Sequence, residues 1–302
     1  MKAKSIYGTL TFLACLSSPA GMASAAGDDL PALLADELKY SMEHLATPDG
    51  TKPYYMSYAV TDVQSTRMSA TLGTLLGDET NHSRLLDVEV RVGDYSLDST
   101  HKIRGGDFDI ADMAAGGPTQ ISLNDDPDAI RHALWLATDS RFKAAARRYE
   151  RVQTNLKTKV EEEDKSGDFT HEKPSVFSKP PATLKLDRAA WAERIRKVSR
   201  IARDYPLIYN SDVALSAEVE NHYLVTSEGT RIQQGQVYLR VVVSASTKAT
   251  DGMELSQSFI FNAGHEDKLP SEQQVTDALV KVIKQVMALR EAPLVEPYVG
   301  PA

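Results

Sequence analysis

Cysteine is all but missing from this chain. Cys15 is the only one in 302 residues, and it lies in a segment that reads as a leader, so the mature chain is expected to have none. That excludes disulfides, thiolate metal ligands and a cysteine nucleophile. A basic excess is missing too: 34 Lys and Arg face 42 Asp and Glu, for a formal net charge of −8. Nucleic-acid binding calls for a basic face, which this balance argues against. No apolar run is long enough to hold the chain in a bilayer as a permanent helix. The short signatures of common catalytic sites are also absent.

What is present begins with that leader. Lys2 and Lys4 precede an apolar stretch from Ile6 to Leu16, followed by Ser17-Ser18-Pro19 and the small-residue run Ala23-Ser24-Ala25-Ala26. This is the layout of a secretory signal peptide, residues 1–26, with cleavage before Ala26 or Gly27. A retained anchor and a lipoprotein signal around Ala14-Cys15 are the alternatives. Phe12 and Leu13 make the lipoprotein box imperfect, so export and release, to the periplasm or the exterior, is the expectation. Loss of Lys2 and Lys4 takes the net charge to about −10. The remaining ~275 residues are enough for an ordinary hydrophobic core without disulfides.

The pattern along the chain alternates blocks of helix with blocks of strand. Asp29-Leu30-Pro31 reads as a helix start, with Leu34, Leu38, Met42 and Leu45 on one face and a stop at Thr47-Pro48-Asp49-Gly50. Three strands are expected next, around residues 54–60, 68–72 and 86–92, from period-2 alternation. Residues 96–124 read as loop. Asp126-Pro127 opens a long helix to about Val160, with Ile130, Leu134, Ala137, Phe142 and Ala145 inward and an irregularity near Asp139. Residues 161–186 read as a solvated linker, carrying Glu161-Glu162-Glu163-Asp164 and Pro180-Pro181. Asp187 caps a helix bearing Trp191, Ile195, Val198 and Ala202. A second strand set covers 213–219, 223–226, 237–243 and 255–261, with a turn at Ser227-Glu228-Gly229-Thr230. Ser271 and Gln274 form a capping box on the last helix, whose apolar face is Val275, Leu279, Val282, Val286 and Leu289. Strands in blocks, not alternating singly with helices, indicate an α+β fold of antiparallel strand meanders with packed helices. The two helix-plus-strand halves, joined by the linker, resemble a loose duplication.

Chemistry is harder to find. Among the seven histidines, His171-Glu172 and His265-Glu266 each start an H-E-x-x-H, but neither has the second histidine. Asp107, Asp109 and Asp112, and separately Asn124, Asp125, Asp126 and Asp128, miss the spacing of a calcium loop. Gly105-Gly106 and Gly116-Gly117 lack the strand-to-helix context of a phosphate cradle, and Ser227 lacks a nucleophile elbow. Asp87 and Glu89 fall on the wet side of a strand. Tyr54, Tyr55 and Tyr58 read as strand aromatics, and Arg147, Arg148 and Arg151 as a solvated helix face. No catalytic, cofactor-binding or metal-ligating residue is assigned.

Several segments, in order, resemble the N-terminal region of the TldD/PmbA family, the "modulator of DNA gyrase" relatives of metallopeptidases. They are Lys52-Pro53-Tyr54-Tyr55-Met56-Ser57-Tyr58; Leu86-Asp87-Val88-Glu89-Val90-Arg91-Val92-Gly93-Asp94-Tyr95 with Leu97-Asp98; Leu134-Trp135-Leu136-Ala137-Thr138-Asp139 with Phe142-Lys143-Ala144; Asn221-His222-Tyr223-Leu224-Val225-Thr226-Ser227-Glu228-Gly229-Thr230; and Glu296-Pro297-Tyr298-Val299-Gly300-Pro301-Ala302. The resemblance implies an N-terminal α+β domain, residues 27–291. An extended segment, 292–302, would lead from it to a C-terminal β-rich domain that these residues do not include. In the family that second domain carries H-E-x-x-x-H, a zinc-type metal site, so no cofactor is expected on the residues present. The resemblance further implies peptide or unfolded-protein substrates, a homo- or heterodimer, and a chain that is silent alone while shaping the substrate chamber and dimer surface. The alternative is a stand-alone envelope binding or assembly module without enzymatic activity.

Overall fold

Period-2 alternation of apolar residues determines the architecture. The structure, a computed structural model, describes residues 30–103, 117–157, 166–293 and Gly300. The leader and the segment 294–299 therefore lie outside the described residues, as do Gly105, Gly106, Asp107, Asp109, Asp112 and Gly116.

Strand β1 (Pro53–Thr71) and strand β2 (Thr74–Val92) form one long antiparallel hairpin. The expected strands around 54–60 and 68–72 are thus a single strand. Between them the buried inward positions are polar, Asp62 and Thr66, and the burial period lapses at exposed Gln64 and buried Ser65. The connecting turn is Leu72-Gly73, with φ of 47° and 80°. Positive φ at both central residues is the twist-matched hairpin turn, and Gly73 adopts it without strain. Leu72 does not, so the turn is held from outside: Arg203 Nε donates to Leu72 O at 2.7 Å and Gly73 N–H to Ser199 Oγ at 3.0 Å.

Helix α1 (Leu30–His44) precedes this hairpin. After it come β3 (Thr119–Gln120), helix α2 (Pro127–Lys157), β4 (Val176–Ser178) and helix α3 (Arg188–Ser199) with a 3-10 turn (Arg200–Asp204). Strands β5 (Asn210–Thr226), β6 (Arg231–Lys248) and β7 (Glu254–Ala263), a 3-10 turn (Glu266–Lys268) and helix α4 (Glu272–Glu291) complete the order. The expected caps are formed: Asp187 accepts from Ala190 N–H, and Ser271 and Gln274 bond reciprocally. The helix opened by Asp126 runs without a break at Asp139. Leu289, expected inward on the last helix, is instead 41% exposed.

All seven strands belong to one mostly antiparallel sheet in the order β3-β2-β1-β5-β6-β4, with β7 also on β6; only β4 runs parallel to its neighbour. The register of β1 with β2 and β5 places even residues of β1, even residues of β2 from Asp78 onward and odd residues of β5 and β6 on one face, while a shift between Ser69 and Ala70 brings Leu75 to that face at the hairpin end. Both cores lie on that face. At one end, Met56, Tyr58, Val60, Leu86, Val88 and Val90 pack against Leu34 and Leu38 of α1 and Ile130, Leu134 and Phe142 of α2. At the other end, Met68, Ala70, Val213, Leu215, Val241 and Val243 pack against Trp191, Ile195 and Val198 of α3 and Val275, Leu279, Val282 and Val286 of α4.

Residues 166–186, the described part of the 161–186 segment that composition marked as a solvated linker, form a fastened strap. Phe169 N–H donates to Tyr95 O, β4 pairs with β6, and Lys185 N–H reaches Glu266. Midway, the buried Asn221 side chain imitates a strand backbone: its Oδ1 accepts from Ala182 N–H at 2.7 Å and its Nδ2 donates to Ala182 O at 3.1 Å. This approach needs Gly235 opposite, because a Cβ there would sit 2.5 Å from Ala182 N and also strike Asn221 Oδ1. Gly235→Ala is therefore expected to cost about 2–3 kcal/mol, the penalty of overpacking a tight contact, read as a lowered urea midpoint with unchanged slope.

Candidate functional site

Among the described residues, the four helices lie on one face of the sheet and the other face stays open. Ser65 and Arg67 of β1, Ser216, Glu218 and Glu220 of β5, Tyr238 and Arg240 of β6, and Asn262 of β7 line a cleft of about 800 Å³. A more apolar hollow of about 410 Å³ continues it past Arg67 toward Leu76, Gly77 and Val242. The charges interleave: Arg67 lies 3.9 Å from Glu218, and Arg240 donates to Asn262 Oδ1 at 3.0 Å. The Arg67–Glu218 pair is exposed and contributes little to stability. Such charges remain free to meet a polar ligand.

Two polar clusters brace the sheet. On the helix side, between the cores, Asp62 accepts from Arg84 Nε at 2.6 Å and lies 2.9 Å from His82 Nε2, while Arg84 Nη1 donates to Asp125 at 2.7 Å. The Asp62 and Arg84 side chains are only 6% and 8% exposed. Their ion pair is thus buried, and removing either partner would leave an uncompensated charge. At the sheet end, Asp98 is fully buried. Its Oδ2 accepts from Tyr54 O–H at 2.6 Å and Arg91 Nη1 at 3.0 Å, and its Oδ1 from Thr100. Burial pushes the Asp98 carboxyl up, but the bonds from Thr100, Tyr54 and Arg91 outweigh it and hold the group below its usual range. Burial and the same Asp98 contact raise Tyr54 well above an ordinary phenol.

Three strap residues, Asp168, Phe169 and His171, fix it to this end. Asp168 accepts from the Asp98 N–H at 2.8 Å and sits 2.6 Å from His101 Nδ1. Phe169 is covered by the Arg91 guanidinium 3.9 Å from its ring centre and meets Tyr55 edge-on. Glu228 accepts from Tyr95 O–H at 2.7 Å and lies 2.7 Å from His171 Nδ1; its acceptance, with burial, pushes Tyr95 up to about 12. These groups are occupied with one another, so the arrangement clamps the chain and does not offer a base to a ligand.

The residues weighed from the sequence fall as follows. His171 bonds Glu228 and Tyr95, and His265 precedes the 3-10 turn at 266–268. Asp126 caps α2 through Asp128 N–H, and Asp125 pairs with Arg84. Ser227 Oγ accepts from Met56 N–H. Asp87 pairs with Arg141 on the outside, and Glu89 with Arg91. Tyr58 is buried against Thr138 and Ser41, and Arg148 donates to His101 O. Sequence reasoning missed Asp62 and Arg84, although Asp62 continues the inward column Met56, Tyr58, Val60 and so was legible as a buried carboxylate. Among the described residues, no three His, Cys, Asp or Glu side chains gather closely enough to hold a metal ion. The zinc implied by the resemblance therefore has no fitting donor set among these residues. Among the described residues, no helix is long and apolar enough to cross a membrane.

No family model matches the sequence, and no curated protein matches it. Solved structures do. The chain is similar to TldE from Thermococcus kodakarensis with a TM-score of 0.51 and 11% identity, over 84% of this chain and 47% of that one. It is also similar to two candidate modulators of DNA gyrase. For the Thermotoga maritima protein the TM-score is 0.45 and identity 12%, over 86% of this chain and 50% of that one. For the Bacteroides thetaiotaomicron protein they are 0.46 and 8%, with the same two coverages of 86% and 50%. The chain thus has a TldD/PmbA-like α+β fold and spans about half the length of the structures it matches, as an N-terminal region would. At such identities the likeness is one of fold.

The buried Asp98 carboxylate makes acid sensitivity testable. Its folded-state pKa is depressed, so its stabilisation is complete above the unfolded value of about 3.9 and is lost as pH falls through the lower folded value. Asp98→Asn is expected to lower the melting temperature at pH 7 and to flatten the decline between about pH 5 and 2, followed by thermal melts across that range.

Proposed function

We propose that this chain is the N-terminal, non-catalytic portion of an exported TldD/PmbA-like metallopeptidase. The TldE-like fold over 84% of the chain carries the reading. The ordered segments from Lys52-Pro53-Tyr54 to Tyr298-Val299-Gly300-Pro301 support it, as does the leader pattern in residues 1–26 for export to the periplasm or beyond. The catalytic H-E-x-x-x-H and its zinc-type metal would belong to a second domain, supplied by further residues or by another chain. The sheet's open face, with its interleaved Arg67, Glu218, Glu220 and Arg240, would form one wall of the substrate chamber. The substrates would be peptides or unfolded proteins, and the active assembly a homo- or heterodimer.

The purified mature chain, residues 27–302, is expected to show no chelator-sensitive hydrolysis of peptides. Co-expression with a domain bearing H-E-x-x-x-H should give co-purification and hydrolysis that a chelator abolishes. Chelator-sensitive turnover by the chain alone would overturn the silent role. A soluble, monodisperse chain that ignores every such domain would point to the stand-alone envelope binding or assembly module.

A further inference from the structure

Strand β6 has two partners on its outer side and a gap between them. Strand β4 covers Arg231 to Gln233, and β7 begins its cover at Leu239. Among the described residues, positions 234–238 of β6 have no strand on that side, a gap of roughly 17 Å at the rise of a strand. Arg231 N–H donates to Ser175 O and Gln233 O accepts from Lys179 N–H, so the odd residues of β6 point their backbone groups outward. By the two-residue period Gly235 and Val237 do the same. Each therefore offers an N–H and a C=O to the gap.

At its Val237 end the gap opens onto a recess with walls. Thr183 and Lys185 of the strap, Val237, and residues 264–267 enclose a hollow of about 290 Å³. It shares Val237 and Gly264 with the large cleft on the open face, so the two adjoin. Exposed sheet edges are usually defended by charge, proline or a bulge. Here residues 232–239 contain no charged side chain and no proline, and β6 pairs with β5 through this stretch without a shift in register.

We propose that this recess binds a short extended peptide, which completes the edge of β6 by strand addition and lies toward the open-face cleft. The chemistry selects the occupant. Alternating main-chain donors and acceptors at a two-residue repeat are matched by an extended polypeptide, and side chains beyond the edge would meet Tyr238, Glu218 and Arg240. The walls at both ends oppose a long strand from a folded sheet and admit a flexible segment. The inference stands apart from the metallopeptidase reading, because it concerns binding by this chain alone.

The test uses the full mature chain and a fluorescein-labelled pool of unstructured, proline-free decapeptides, read by anisotropy. Binding in the micromolar range is expected. The same pool N-methylated at alternate residues should bind at least about tenfold more weakly, since it loses the ladder bonds. Val237→Pro removes an outward N–H while leaving the bonds to β5 intact, and should weaken binding to a similar degree with an unchanged melting curve. Equal binding of the methylated pool, wild-type binding by a folded V237P, or no binding at millimolar peptide would overturn the proposal. If V237P does not fold, the methylated pool decides on the wild-type chain. A dimer lost in V237P without any peptide binding would assign the recess to a second copy, and the peptide reading would fall.

Discussion

The ladder between β1 and β5, running from Ser57 opposite Thr226 to Ala70 opposite Val213, is the constraint from which the rest follows. It joins the first helix-plus-hairpin half to the second. Without it each half would be a separate helix-covered meander with a long bare strand edge, β1 in one and β5 in the other. With it, both apolar clusters fall on the same face of one sheet, and among the described residues the helices pack on that side. The opposite face is left without a covering layer, which is why the cleft lies there and why the polar groups along it are half exposed.

A sheet this long cannot be covered by a single cluster of helices, and the place where the two clusters part is filled by charge. Asp62, Arg84 and Asp125 sit there with His82, and Asn221 holds the strap beside them. Such groups add little net stability over apolar ones. Their effect is on register. A slip of one residue between β1 and β2 would turn the Asp62 carboxylate to the opposite face from Arg84, leaving both charges without their partner, whereas an all-apolar column would tolerate the slip more easily.

Much of this was readable because it rests on local rules. The caps at Asp187 and Ser271, the turn at residues 227–230 and the alternation of Leu86, Val88 and Val90 are each set by neighbours in sequence. What could not be read depends on pairings far apart. β3 and β4 are two and three residues long, too short for any period to show. The strap at 166–186 owes its order to Glu228, Asn221 and Gln233, which come tens of residues later, and its own Pro and charge content suggested solvation. The joining of 54–60 with 68–72 was hidden because polar residues filled the inward positions between them. The same holds for the end cluster, where Asp98 meets Tyr54 across 44 residues and nothing in either segment marks it as buried.

The strap and the gap in the sheet edge have one cause. A chain leaving β4 would ordinarily continue along β6 and satisfy Gly235 and Val237. After Lys179 the next strap residue due to donate to β6 is Pro181, which has no N–H, and the chain turns instead to the Asn221 side chain, which offers Ala182 both a donor and an acceptor. The missing Cβ at Gly235 lets the strap cross closely enough to take them. Ala182 is thereby satisfied by a side chain, and the outward main-chain groups of Gly235 and Val237 are left without a strand from the strap. A fold that bonds the strap to a side chain on the sheet's face leaves part of its edge unfilled, and that part adjoins the face the helices leave bare.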